Sequence, residues 1–179
     1  MSSSDARAAE PTDRVRPRPT RARAWARGVL LLAGGLVVIA LVEPVGPARL
    51  YVMPLVIGLT YLLSAAAGGR SGGLWVPGLI VTAWGVATTT VLSGTVGIDF
   101  TAAAVLAIGV GAVAATQLPR AGIPCNPLAI AVVVTAIGAL ELLEAQAGGV
   151  FVDGWPWGVF LVLGGIWELR PAVTGPAPP

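Results

Sequence analysis

The chain has 179 residues, of which 55% are hydrophobic and 11% are charged, and its formal net charge is +2. Soluble domains carry about 25% charged residues, so this composition excludes an ordinary soluble domain and indicates a membrane protein. The sequence has no His, no Lys and a single Cys, which excludes an intrachain disulfide, a multi-Cys metal cluster and His-based acid–base chemistry.

Residues 1–24 are rich in Ser, Pro, Ala and Arg and hold almost no large apolar side chains. Such a segment buries too little apolar surface to offset its ordering entropy, so it is predicted to be a disordered cytoplasmic tail. Arginines close to the first apolar run are expected to bind anionic lipid headgroups or, alternatively, only to orient the first span. They are Arg14, Arg16, Arg18, Arg21, Arg23 and Arg27.

Six apolar stretches follow, and they predict an all-α, polytopic integral membrane protein with six transmembrane helices in residues 25–169. The predicted spans are residues 28–42, 51–67, 74–92, 101–118, 127–143 and 155–169. The first span also fits a signal peptide with a cleavage site at Gly46-Pro47-Ala48. The Pro-rich end, residues 170–179, is predicted to be a second disordered tail.

The third stretch, Gly73–Gly94, carries no charged residue and contains three consecutive threonines, Thr88, Thr89 and Thr90. Threonine hydroxyls within a membrane helix can donate to carbonyls of the preceding turn, so these three are predicted to bond within their own helix.

The distribution of arginine predicts the orientation. With both termini in the cytoplasm, the inner side has the Arg-rich tail, Arg70, Arg120 and Arg170, whereas the outer side has only Arg49. Arginine concentrates on the cytoplasmic side of membrane proteins, so this orientation is favoured, in a bacterial plasma membrane. Tryptophans near the ends of the spans are expected to be interfacial anchors: Trp25, Trp75, Trp155, Trp157 and Trp167.

A Trp/Gly pattern recurs in three of the spans. Trp25-x-x-Gly28, Trp75-x-x-Gly78 and Trp155-x-x-Gly158 are followed by Gly34-Gly35, Trp84-Gly85 and Gly164-Gly165. Glycine lets membrane helices approach closely, so a helix-packing role is predicted for Gly28, Gly35, Gly78, Gly85, Gly109, Gly111, Gly158 and Gly165. The pattern is either an inverted duplication, as in some transporters, or the ordinary use of Trp and Gly in membrane helices.

The segments WVPGLIVTAWGV and WPWGVFLVLGGIW resemble the transmembrane regions of small bacterial envelope proteins of the LiaI/LiaF type. The resemblance covers about thirty of the 179 residues. It implies a membrane-embedded function that depends on a partner, and it supplies no catalytic residues.

The acidic residues predicted on the outer side are candidates for a patch that attracts cations, or simply mark helix ends: Asp99, Glu141, Glu144 and Asp153. No charged residue lies in the middle of a predicted span, which argues against proton-coupled transport. Cys125 has no neighbouring base in sequence except Arg120, so it is interpreted as an incidental thiol.

The sequence therefore predicts a non-catalytic accessory or envelope-associated protein that acts through helix association with a membrane-protein partner or with its own copies. No enzyme activity, cofactor, metal or nucleic-acid partner is expected. The alternative is a small transporter or channel component for a neutral or cationic solute.

Overall fold

The computed structural model describes residues 21–42, 51–70, 73–147 and 155–174. Within these ranges the chain is all-α, with no strand. The helices are α1 (Arg21–Val42), α2 (Met53–Gly68), α3 (Trp75–Leu92), α4 (Phe100–Thr116), α5 (Pro127–Ala147) and α6 (Trp155–Thr174). A short 3₁₀ turn, Leu118–Ala121, follows α4.

Two helices extend into segments that were predicted to be disordered. Helix α1 begins at Arg21 rather than residue 28, because Ala and Arg are strong helix formers that continue the helix beyond its apolar part. Helix α6 continues to Thr174, past the predicted end at residue 169. Residues 1–20 and 175–179 lie outside the described part of the chain, and so does the proposed cleavage site.

Most of the helices lie in a row in the order α6, α1, α2, α3, α4, and α5 contacts α3 and α4. Neighbours in this row alternate in direction. In the α1–α6 pair, for example, Gly28 lies beside Gly165 whereas Gly35, two turns later, lies beside Gly158. Connections of only 6 to 10 residues favour such antiparallel neighbours.

Two apolar clusters hold the row together. The first joins α1, α2 and α6 through the buried side chains of Leu31, Val38, Met53, Ile57 and Leu161. The second joins α3, α4 and α5 through Val76, Ile80, Ala115, Leu118, Ile123 and Ile137. Val81 of α3 packs against both clusters and so links them at the α2–α3 contact.

The surface of the row is also apolar. Large hydrophobic side chains are exposed on every helix, among them Leu36, Leu63, Val86, Leu106, Val132 and Phe160. By length and composition, Arg21–Leu41 and Trp75–Leu92 are suited to cross a membrane. The other four helices carry shorter apolar stretches of 10–17 residues. Exposed apolar surface on this scale marks contact with a membrane or with other proteins.

Candidate functional surfaces: glycine seams and an arginine end

Helices α1 and α6 meet along a seam of four glycines. A Cβ at Gly28 would lie 3.1 Å from the carbonyl oxygen of Gly165, and a Cβ at Gly165 would lie 3.0 Å from the carbonyl oxygen of Gly28. Two turns further along, Gly35 and Gly158 repeat this relation at 2.9 and 3.0 Å. The two backbones therefore touch directly, which only glycine permits at this separation.

Helices α2 and α3 meet along a second seam, in which glycines of one helix face bulkier residues of the other. A Cβ at Gly78 would lie 3.1 Å from the backbone nitrogen of Leu62, and one at Gly85 would lie 2.5 Å from the Cα of Leu55. The sequence pattern placed these glycines in a packing role without identifying the helix that they face.

A glycine in α2 that the sequence analysis did not select completes this seam. A Cβ at Gly58 would lie 2.6 Å from the Cα of Thr82 on α3. Helix α2 has no tryptophan at the corresponding position, so the search for a Trp/Gly pattern passed over it. The signal that was available is a series of small residues, Gly58, Ser64 and Gly68, within an apolar helix.

Gly109 does not share the contact that Gly111 makes within the chain, so the predicted packing role of Gly109 has no counterpart among the described residues. A Cβ at Gly111 would lie 2.7 Å from the Cα of Ile80, whereas no atom of the described ranges lies within 4 Å of a Cβ at Gly109. Two positions apart on an α-helix point about 200° apart, so both glycines cannot face α3.

The threonines of α3 make two kinds of hydrogen bond. Thr88 donates to the carbonyl of Trp84 at 3.0 Å, and Thr90 donates to that of Val86 at 2.8 Å, both within the helix. Thr89 differs from the prediction, because its hydroxyl donates to the carbonyl of Tyr51 at 3.3 Å. Thr89 therefore ties the end of α3 to the segment that leads into α2.

Three of the predicted tryptophan anchors have described side chains. Trp25 and Trp167 are exposed, at 43% and 70%, on the surfaces of α1 and α6. Trp75 is half-buried and donates from Nε1 to the carbonyl of Gly69 at 3.2 Å, which fixes the turn before α3. Trp155 and Trp157 lie in the first turn of α6, and their side chains are outside the described part of the structure.

All six arginines within the described ranges lie at one end of the row, where α1, α3 and α5 begin. A Cβ at Gly68 would lie 3.0 Å from Nε of Arg27, and a Cβ at Gly69 would lie 3.5 Å from the guanidinium of Arg23. These two arginines therefore sit at the C-terminus of α2, where the helix dipole favours positive charge.

The other arginines extend this end of the molecule. A Cβ at Gly122, in the loop after α4, would lie 4.0 Å from Cδ of Arg70. The Arg120 guanidinium donates to the side-chain oxygen of Gln117. Arg170 lies 5.8 Å from the ring centre of Trp167, a cation–π contact at the end of α6. Arg14, Arg16 and Arg18 are outside the described residues.

The predicted acidic patch is described at one position only. Asp99 accepts a hydrogen bond from the backbone N–H of Ala102 at 2.8 Å and is the N-cap of α4, a structural role. Glu141 and Glu144 lie in the last two turns of α5, but their side chains are outside the described part. Asp153 lies in an undescribed segment.

Cys125 is half-buried and packs against the cluster formed by α3, α4 and α5. Within the described ranges, no three His, Cys, Asp or Glu side chains are grouped so that they could hold a metal ion. Comparison with known proteins found no matching protein family, curated protein or solved structure. The resemblance to the LiaI/LiaF type therefore stays a prediction.

Proposed function

We propose that this chain is an integral membrane protein with six spans that acts without catalysis, by association of its helices with a partner inside the membrane. The observation that carries this proposal is the number of glycines left open on an apolar surface. Among the described residues, none has a heavy atom within 4 Å of a Cβ at Gly109, Gly138 or Gly164, and the exposed faces of these helices are aliphatic.

The open glycines matter because glycine within a helix costs about 1 kcal/mol relative to alanine. Within the chain, glycines repeatedly serve as points where two helices touch, as at Gly28 and Gly85. In lipid, helices associate mainly through such close packing and not through a hydrophobic driving force. Open glycines on lipid-facing surfaces are therefore suited to bind a further helix.

The proposal includes six crossings with the arginine end in the cytoplasm of a bacterium. No charged residue lies within α2, α3 or α4, or in residues 28–42, 127–140 and 155–167. Helix α2, with 16 residues, is about 24 Å long and spans if the bilayer thins slightly around it. The cytoplasmic assignment of the arginines follows the positive-inside rule, and their partners there are anionic lipid headgroups.

The test is the mass of the intact assembly. The tagged protein is extracted in native lipid particles and measured by native mass spectrometry, together with a variant that carries Gly109→Leu, Gly138→Leu and Gly164→Leu. We expect a homo-oligomer or a stoichiometric membrane-protein partner for the natural sequence and its loss in the variant. A monomer without any partner in native lipid would contradict the proposal.

The variant is informative because no described residue lies within 4 Å of a Cβ at its three sites, so the substitutions are expected to leave the described packing within one chain intact. An unchanged melting temperature checks this. The alternative, a transporter or channel component, rests on six spans with a possible inverted repeat and on an acidic outer patch, and the one described member of that patch, Asp99, is already used as a helix cap. Association is therefore the function that the contacts favour.

A further inference from the structure

Helices α1 and α6 carry equivalent residues, with a constant offset of 130 positions between residues 25–39 and 155–169. The identical pairs are Trp25 and Trp155, Gly28 and Gly158, Val29 and Val159, Leu31 and Leu161, Gly34 and Gly164, and Gly35 and Gly165. Leu31 and Leu161 are also buried to nearly the same extent, at 4% and 3% exposed.

The contacts between the two helices follow the same offset. Leu32 packs on Gly165, and its equivalent on α6, Val162, packs on Gly35. Likewise Leu169 packs on Gly28, and its equivalent on α1, Ile39, packs on Gly158. A local two-fold axis perpendicular to both helices therefore relates α1 and its contacts to α6 and its contacts.

This symmetry is broken at one pair of positions. On α1, Gly34 receives Thr60 of α2, whose Cβ would lie 2.9 Å from a Cβ at Gly34. On α6, the equivalent residue is Gly164, and no described residue lies within 4 Å of a Cβ there. Helix α6 therefore has an open glycine site at Gly164, here called the notch. It corresponds to the site at Gly34 where α1 contacts Thr60 of α2.

We propose that the notch at Gly164 binds α5 of a second copy of this chain, in the way that Gly34 binds α2. This inference rests on the proposed function, because it names the partner of the association. The face of α2 that contacts α1 carries Met53, Ile57, Thr60 and Ser64. Helix α5 repeats this spacing 75 positions later with residues of similar character, Leu128, Val132, Thr135 and Ala139.

All four of these α5 residues are exposed within one chain, so they are available to a neighbour. Helix α5 also has the required direction. It begins at the arginine end, as α1 does, and α6 ends there, so α5 is antiparallel to α6 as α2 is antiparallel to α1. Helix α4 runs parallel to α6 and does not meet this condition.

The register supports the same pairing. With Thr135 opposite Gly164, residue 144, nine after Thr135, lies opposite residue 155, nine before Gly164. Residue 155 is the first of α6, and α5 ends at Ala147, so the two helix ends lie within three residues of each other.

The α5 of the same chain does not fill the notch, since it packs on α3 and α4 while Gly164 stays open. Two copies with the same orientation in the membrane can make this α5–α6 contact reciprocally if a two-fold axis along the membrane normal relates them. Each copy then gives its α5 to the α6 of the other, and the dimer closes with two equal contacts.

Cysteine cross-linking between two differently tagged copies tests the pairing. In a Cys125→Ala background, one copy carries Thr135→Cys and the other carries Gly164→Cys. We expect oxidation to give a disulfide-linked species with both tags. In the control, Val110→Cys on the exposed face of α4 replaces Thr135→Cys and should give none. Absence of the 135–164 product, or equal linking of the control, would overturn the proposal.

A second pair of variants measures assembly without an added cysteine. Gly164→Leu should weaken dimerisation by roughly tenfold or more, and Val105→Leu, on the exposed face of α4, should leave it unchanged. Equal effects of the two variants would count against the pairing. If another membrane protein co-purifies while residues 135 and 164 never link, this inference fails and the proposed function stands; a partnerless monomer in native lipid defeats both.

Discussion

At the scale of single residues, the role of a glycine in this protein depends on what its missing side chain makes room for. Gly85 lies directly against the backbone of Leu55, which cannot move aside without shifting the whole of α2. Gly109 lies in an equally apolar helix, and its missing side chain faces none of the described residues. Substitutions at these two positions should therefore differ greatly in their effect on stability.

We expect Gly85→Leu to lower the free energy of unfolding by about 3 kcal/mol, because the added side chain must separate α2 from α3. Gly109→Leu is the matched control and should change it by less than about 0.5 kcal/mol. Unfolding in mild detergent, followed by circular dichroism, gives both values. Similar losses for the two variants would show that α3 does not pack on α2 as described.

Sequence periodicity predicted which residues are small and apolar, but the partner of each residue depends on how the helices are arranged. Gly78 meets a leucine rather than another glycine, and Thr89 bonds to Tyr51, 38 positions away. Neither contact follows from local spacing. The different surroundings of Gly109 and Gly111 could have been predicted from the sequence, since residues two positions apart on a helix do not lie on the same face.

At the scale of helices, α1 and α6 form a pair with nearly equal contributions from each member. Each helix gives two glycines at a spacing of seven residues, and each accepts aliphatic side chains from the other at equivalent positions. A seven-residue spacing keeps both contacts on one face over two helical turns. Substitution of the seam glycines in either helix should therefore lower the free energy of unfolding by a similar amount.

The double variant Gly28→Ala/Gly35→Ala and the double variant Gly158→Ala/Gly165→Ala are both expected to lose roughly 2 to 4 kcal/mol of unfolding free energy. The combination of all four should lose less than the sum, because the affected residues touch each other. A double-mutant cycle in the same unfolding assay measures the coupling. Additive losses, or a loss confined to one helix, would contradict the reciprocal seam.

The existence and order of the helices could be predicted from the apolar runs, whereas their ends could not. Helix α1 starts seven residues before its predicted span, since residues 21–27 are Ala, Arg and Trp, which tolerate a helix in water or at an interface. Helix α6 runs past residue 169, where Leu169 packs on Gly28 of α1. A hydropathy pattern cannot predict such a contact between two helices.

At the scale of the whole molecule, charge and apolar surface are separated along the helix direction. The six described arginines gather at one end, and exposed aliphatic side chains cover the length of the row. The linear distribution of arginine along the chain already indicated this division. The row order, with α6 beside α1, required the structure, since these helices are the most distant in sequence.

The central claim, that every helix crosses the membrane with the arginine end inside, is tested most directly at α4, one of the shorter helices. In a Cys125→Ala background, Thr95→Cys before α4 and Ala121→Cys after it place single exposed thiols at its two ends. We expect a membrane-impermeant maleimide to label position 95 in intact cells and position 121 only after permeabilisation. Labelling of both positions in intact cells, or of position 121 alone, would contradict the account.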